Sequence, residues 1–363
     1  MEIGSIFEID ISNLFKEPLQ EEIEFPFMKE KKYYMNFYNT GRAAIESLFC
    51  FLKNSQGRTR VLLPTYNCDS VYEAVERTQI MIELYPINRD FTINIDALKS
   101  FQFSEGDIFY IVQYFGKKIS KEALSFIQDL KTKGVLIIED ISLCLLSYSE
   151  TIGIGDYIVG SIRKWFALPD GGFCASTYDM HDLKKEQAAN NYTFNYMLAQ
   201  LMKQKYLQDN SLDKTKFLKL NKMGMDTLFS DYKIREMSEV SIQLMKSSDV
   251  RSIISIREDN YRSLWLKLAK IPQVTVMIPW EVGIIPLGMV IAVEDRDRLY
   301  DNLIKNDIYC NIHWRTNRCM DNSEEAIWLS KHCLTIPCDQ RYSNEHMKRI
   351  EKVICNYFEV KNV

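Results

Sequence analysis

Apolar positions recur along the chain at two spacings. In TGRAAIESLFCFLK (residues 40–53), Ala44, Ile45, Leu48, Phe49 and Leu52 repeat at helical intervals behind a Thr-Gly turn, which predicts a helix whose N-terminus suits an anion. Shorter apolar runs then alternate with helical segments. Strands are predicted at 60–64 (RVLLP), 81–87 (MIELYPI), 107–115 (DIFYIVQYF) and 134–140 (GVLIIED), with helices near 68–78 and over 120–132. Apolar strands separated by helices define an α/β domain, a mainly parallel central sheet with helices on both faces. GDYIVGSI and GGFCAST predict two further strands around a lysine-bearing turn. Between about 181 and 270 the pattern is helical and charge-rich, with long candidates at 182–207 and 238–270. The closing segments VTVMIP, GMVIAV, RDRLYDNLIKND, YCNIHW and EHMKRIEKVICNYF read as a smaller α+β unit. The expected organisation is a large domain over 1–250, including an N-terminal extension, and a small C-terminal domain over 251–363.

Composition narrows the function classes. At 46% hydrophobic and 26% charged residues over 363 positions, the chain reads as an ordinary soluble protein with ample core. A net charge of −4 without a basic stripe offers no footprint for nucleic acid. No run of 18 apolar residues occurs, and the opening MEIGSIFEIDISNLFKEPL carries acids where a secretion signal needs a basic and then apolar stretch. The nine cysteines follow no regular framework, which fits a reducing cytoplasm. A small-molecule partner is expected.

Three local features fall at predicted strand ends, where open α/β sheets place ligand chemistry. Thr40, Gly41 and Arg42 open a helix, where backbone amides favour a phosphate. Glu139 and Asp140 end the apolar GVLIIED strand. Ser161 and Lys164 follow the next strand, in GSIRKWFALPDGG, with Lys164 set among Ile162, Trp165, Phe166 and Leu168. A lysine in such company either snorkels from a buried turn or is desolvated toward reactivity. Phosphate cradle, acid and lysine together suggest pyridoxal 5′-phosphate, whose aldehyde needs a lysine and whose pyridine nitrogen needs an acid.

From about residue 36 onward the chain resembles the DegT/DnrJ/EryC1/StrS sugar aminotransferases. The resemblance is carried by TGRAA, VLLPTYNC, YFGKKIS, LIIEDIS, GDYIVGS, REMSE, LTIPCDQRYSNEHMKRIEKVI, and Lys164 followed by Asp170, Gly171 and Gly172. It implies a fold-type-I, pyridoxal-phosphate-dependent transferase, working as a homodimer with shared sites. By position it makes Lys164 the Schiff-base lysine and proton shuttle, and Asp140 the partner of the pyridinium nitrogen. Gly41, Arg42 and Ser161 fall at phosphate contacts, Glu139 at a structural position, and His313, Trp314 and Arg315 toward the substrate. The implied reaction moves an amino group from a donor such as glutamate to a keto sugar carried on a nucleotide, for polysaccharide or secondary-metabolite synthesis. A sugar dehydratase of the same chemistry has histidine where Lys164 stands. A homologue that keeps the fold without turnover is the alternative.

Several positions depart from the family pattern. Cys68, with Tyr66 nearby, stands where an aromatic ring usually stacks on the cofactor, and Leu143 where Gln or His meets its phenolic oxygen. Ile234 replaces an asparagine that reaches the neighbouring subunit's phosphate, and the interval from Ser161 to Lys164 is two residues shorter than usual. Arg42, Arg163 and Arg235 are candidates to replace lost contacts. Cys310, His313, Cys319, His332 and Cys333 lack the paired spacing of a zinc site, so no metal is expected. IGIGD (152–156) reads as a turn, YYMNFY (33–38) as packing, and RDRLYDNLIK as a solvated helix face.

Overall fold

The computed structural model describes residues 2–29, 31–181, 183, 185–188, 190–209, 212–315 and 323–361. Its strands are β1 Ile3–Gly4, β2 Tyr34–Tyr38, β3 Arg60–Pro64, β4 Met81–Tyr85, β5 Asp107–Val112, β6 Leu136–Asp140, β7 Tyr157–Gly160, β8 Gly172–Ser176, β9 Thr275–Val276, β10 Met289–Ala292, β11 Ile308–Tyr309 and β12 Cys333–Ile336. The helices are α1 Gly41–Gln56, α2 Asp69–Arg77, α3 Ile95–Leu98, α4 Lys121–Thr132, α5 Asn190–Asp209, α6 Lys214–Ser230, α7 Glu239–Lys246, α8 Val250–Leu268, α9 Arg296–Lys305, α10 Glu324–His332 and α11 Asn344–Lys361. Among the described residues, no helix is long and apolar enough to cross a membrane.

The large sheet has seven strands in the order β2-β8-β7-β6-β5-β3-β4. From β4 to β7 neighbouring strands are parallel, and β8 runs antiparallel to both β7 and β2. Alternation along each strand feeds two cores. Val61, Leu63, Ile108, Tyr110 and Ile138 face α1 and α2, while Leu62, Phe109, Ile111 and Ile137 meet Ala123, Ile127 and Leu130 of α4. Burial on both faces is why these strands read as continuous apolar runs.

The helical stretch differs from the predicted pattern at two ends. α5 begins at Asn190, eight residues after the expected start. The candidate over 238–270 is two helices, because the intervening Ser247-Ser248-Asp249 favours caps over helix interior. Asp249 accepts from the Ser252 amide at 3.0 Å and starts α8 afresh. The strand predicted to reach 115 ends at Val112, where a 3₁₀ turn over Tyr114–Gly116 takes over.

The C-terminal unit is a three-stranded antiparallel sheet, β12-β10-β9, with α8, α9 and α11 contributing to its core. The N-terminal segment reaches it. β1 pairs in parallel with β11, and Ile3 is buried in the same core as Leu264, Leu299 and Ile350. Three cations tie this segment down: Lys203 donates to the Ile6 carbonyl at 2.5 Å, Arg341 to the same carbonyl at 2.9 Å, and Lys214 pairs with Glu2 at 2.5 Å.

One backbone contact sets the relation between the sheet and α1. A Cβ on Gly172, the first residue of β8, would lie 2.2 Å from the Thr40 carbonyl carbon and 2.3 Å from the Gly41 nitrogen. Only glycine allows that approach. We expect Gly172→Ala to lower the urea unfolding midpoint, at a cost of about 1–3 kcal/mol for overpacking against rigid backbone. An unchanged midpoint would contradict the contact.

Candidate active site

The end of β6 presents two carboxylates to opposite faces, as strand alternation requires. Glu139 is fully buried. Its oxygens accept from Gln113 Nε2 at 2.9 Å and from the amides of Gly153 and Gly155 at 3.0 and 2.8 Å. The IGIGD stretch is thus a turn whose amides satisfy a buried acid, and although burial pushes the Glu139 carboxyl up, these three donors pull it back. Asp140 points the other way. Its Oδ2 accepts from the Tyr110 hydroxyl at 2.7 Å and its Oδ1 from the Ser142 amide at 2.8 Å.

Lys164 closes a 3₁₀ turn over Ile162–Lys164, directly after β7, and is half-buried. The residues that follow hold this turn in place. The Ile162 amide donates to the Gly171 carbonyl at 3.0 Å, and the Gly171 amide to the Asn39 carbonyl at 2.8 Å. Gly171 has φ +143°, which side-chain-bearing residues rarely adopt. Asp170 is 1% exposed and accepts from the Ser238 amide at 3.0 Å, the Ser238 hydroxyl at 2.7 Å, and the Ser241 hydroxyl. The Asp-Gly-Gly run therefore locks the lysine turn to the segment before α1 and to α7.

These elements enclose a cavity of about 150 Å³. Thr40, Gly41, Arg42, Cys68, Asp140, Leu143, Ser161, Lys164 and Trp314 all line it. Thr40 is the N-cap of α1, accepting from the Ala43 amide at 3.0 Å, so the helix begins at the cavity wall with its positive end. Arg42 lines the wall, yet its guanidinium is spent elsewhere: it donates to the carbonyls of Leu228 at 2.9 Å and Asp231 at 2.8 Å, and lies over the Tyr232 ring. Cys68 Sγ lies 3.1 Å from the Ser70 hydroxyl.

Three predicted residues, Tyr66, His313 and Arg315, do not line this cavity. Tyr66 is fully buried in an aromatic cluster with Phe91, Tyr114 and Trp314, because its ring finds more apolar surface there. Arg315 turns to Asp297, at 3.8 Å, and to the Tyr300 ring. Of the other candidates, Arg235 is committed to Asp231 at 2.7 Å, and Ile234 packs against the core on the α1 side of the sheet.

His313 lines a second cavity, of about 410 Å³, which shares Arg163 and Lys164 with the first. Burial, with Lys164 nearby, pushes the His313 imidazole down to about 3, so the ring is neutral, and its Nδ1 lies 2.9 Å from the Thr335 hydroxyl. Sequence reasoning did not single out Asn67, Ser142, Leu228 or Phe229 on the first wall. The last two arrive from the far end of α6, and no local motif marks them. Among the described residues no group of three or more His, Cys, Asp or Glu is placed to hold a metal ion; Cys319 lies outside the described residues.

The chain matches no protein-family model and no curated protein sequence. Its fold is nonetheless found among solved structures. It is similar to the putative sugar aminotransferase Spr1654 from Streptococcus pneumoniae in its PLP form, with a TM-score of 0.68 at 15% identity over 97% of each chain. A DegT DnrJ EryC1 StrS aminotransferase from Brucella abortus superposes with a TM-score of 0.59 at 14% identity, covering 89% of this chain and 86% of that one. DesI, solved in the presence of its TDP-sugar product, gives 0.62 at 14% identity, covering 88% and 79%. The chain thus has the fold-type-I architecture of sugar aminotransferases.

Proposed function

We propose that this protein is a pyridoxal-phosphate-dependent aminotransferase acting on a nucleotide-linked keto sugar, with an amino acid such as glutamate as donor, in a cytoplasmic route to polysaccharide or a secondary metabolite. The observation that carries this reading is the meeting, in one cavity, of Lys164, Asp140 and the N-terminus of α1, which come from three separate strand ends. The donor set fits the cofactor. The positive helix end with the Ser161 hydroxyl suits a phosphate, the Asp140 carboxylate suits a protonated ring nitrogen, and the Lys164 amine suits an aldehyde. The solved structures with this fold include PLP- and PMP-forms of a sugar aminotransferase and a sugar-product complex.

The cofactor, when bound, supplies an electron-withdrawing ring for the carbon that loses its proton. The chain's own residues do the rest. Tyr110 and Ser142 fix the Asp140 carboxylate, so that it holds a proton on the ring nitrogen in a desolvated site. Lys164 Nζ, placed by the Asp170–Gly172 brace, accepts the substrate proton and returns it. Leu143, Val112 and Trp314 line the wall with apolar surface and exclude water.

Borohydride reduction of the purified protein reconstituted with cofactor, followed by peptide mapping, should find the pyridoxyl group on Lys164; an adduct on another lysine or none would overturn the assignment. Asp140→Asn should keep the cofactor but lower turnover about 100-fold or more, as a lost charge at a working site does. Turnover is read by mass as amino sugar formed from nucleotide-linked keto sugars and glutamate. Glu139→Gln, measured where both variants are folded, should retain it; the reverse result would mean that β6 is displaced by one residue. A protein that carries cofactor on Lys164 and turns over none of these sugars favours the non-catalytic reading, which rests on Cys68, Leu143, Ile234 and the short interval from Ser161 to Lys164.

The α5–α6 pair leaves apolar side chains in solvent, Phe194 at 58%, Phe229 at 52% and Met223 at 45% exposed. Large apolar side chains left in solvent suit protein contacts, and we assign these to a homodimer. Light scattering should give the mass of two chains, and a monomer would contradict the assignment.

A further inference from the structure

Part of the wall of the second cavity comes from a segment that lies ahead of residue 36, where the resemblance to sugar aminotransferases begins. Gly4, Ser5, Ile6 and Phe7 line the same chamber as Lys164 and His313. The segment is fixed at two points. Ile3 is fully buried and its amide donates to the Asp307 carbonyl at 2.9 Å, while the Gly4 amide donates to the Tyr342 hydroxyl at 2.6 Å. Further on, Ile9 is buried and its amide donates to the Gln200 carbonyl at 3.3 Å. Between these anchors Ser5 is exposed, and Ile6, Phe7 and Glu8 are half-buried. Two cations from different units grip this span. Lys203 of α5, itself buried, donates to the Gly4 and Ile6 carbonyls at 3.2 and 2.5 Å and pairs with Glu8 at 3.1 Å. Arg341, from the C-terminal unit, donates to the Ile6 carbonyl at 2.9 Å, lies 3.5 Å from Glu8 and covers the Phe7 ring at 4.2 Å.

We infer that residues 5–8 are a lid over the chamber behind Lys164, hinged at Gly4-Ser5 and latched by Lys203 and Arg341. The inference goes beyond the aminotransferase reading and does not need it, because it concerns entry to a cavity and not what reacts there. The hinge is visible in the backbone. Gly4 and Ser5 have φ +93° and +65°, consecutive residues in the left-handed region, so the chain turns sharply as it leaves β1. A Cβ on Gly4 would lie 2.0 Å from the Tyr309 carbonyl oxygen, which fixes the turn against β11. The latch has one preferred state. Charge-assisted bonds are strong when made, whereas a buried ammonium stripped of its acceptors is costly, so the span closes fully or not at all. Because the span between the buried anchors is at most half-buried, opening it exposes little apolar surface and leaves the cores intact. A lid of this kind admits a ligand when open and excludes water when shut. A segment that only ties α5 to the C-terminal unit would behave differently: loosening it would lower stability without changing access.

Access is read with Leu287→Cys, a half-buried position on the cavity wall, in the full-length, cofactor-loaded protein. The rate at which N-ethylmaleimide alkylates this thiol is followed by peptide mapping, which separates it from the native cysteines. Adding Lys203→Met should raise the rate about tenfold or more, as expected when charge-assisted hydrogen bonds that hold a lid shut are lost. Because Lys203 is buried, a second variant is needed should the first not fold. Glu8→Gln removes a partly exposed charge shared by both cations and should raise the rate about threefold. Hydrogen exchange on the same samples should find the Ile3 and Ile9 amides still protected. An unchanged rate in the folded variants would overturn the lid. So would faster alkylation with protection lost at Ile3 and Ile9, since the whole segment would then have detached. The measurement needs no turnover, so it stands whatever the sugar screen returns.

Discussion

The site depends on a backbone contact in which β8 runs against the first turn of α1 with no room for a side chain. A Cβ on Gly172 would stand 2.2 Å from the Thr40 carbonyl carbon, so sheet and helix are fixed relative to each other at closer range than any side-chain packing could achieve. From that seam the chain turns back through Gly171, which binds Asn39 on one side and the Ile162 amide on the other. The helix that opens at the cavity and the turn that bears Lys164 are therefore positioned by the same few atoms. Asp170 adds the third attachment, to Ser238 and Ser241 near the start of α7.

A second constraint is electrostatic. β6 ends in two adjacent buried carboxylates, and the fold treats them differently. Glu139 is surrounded by donors from Gln113 and from the turn containing Gly153 and Gly155, whereas Asp140 receives one phenol and one amide on the cavity side. Each buried acid is satisfied before any ligand is considered. Because alternation along the strand sends one to each face, only Asp140 reaches the cavity, and the difference between the two acids comes from position alone.

The parts of this arrangement that were legible in the sequence are local. Runs such as RVLLP and LIIED announce buried strands, Thr40-Gly41 announces a helix start, and Lys164 with Asp170-Gly171-Gly172 is a spacing that can be read along one segment. What could not be read depends on packing between distant segments. Arg42 reaches the end of α6, Phe229 arrives from that same end, and Arg257 meets Trp165 across more than 90 positions. Tyr66 and Arg315 are held off the cavity by partners, Phe91 with Tyr114 and Asp297 respectively, whose proximity no motif records. The two helices within 238–270 show the same limit at short range, since capping by Asp249 competes with an unbroken helical pattern.

Arg42 has a wider meaning for how little such a site asks of its side chains. With its guanidinium committed to the carbonyls of Leu228 and Asp231, what α1 offers to an anion is main chain, and every amino acid supplies the same amides. What that wall requires is shape, together with the few places where bulk is forbidden, such as Gly172. An architecture held this way is compatible with the 14–15% identity at which the same fold recurs among solved structures.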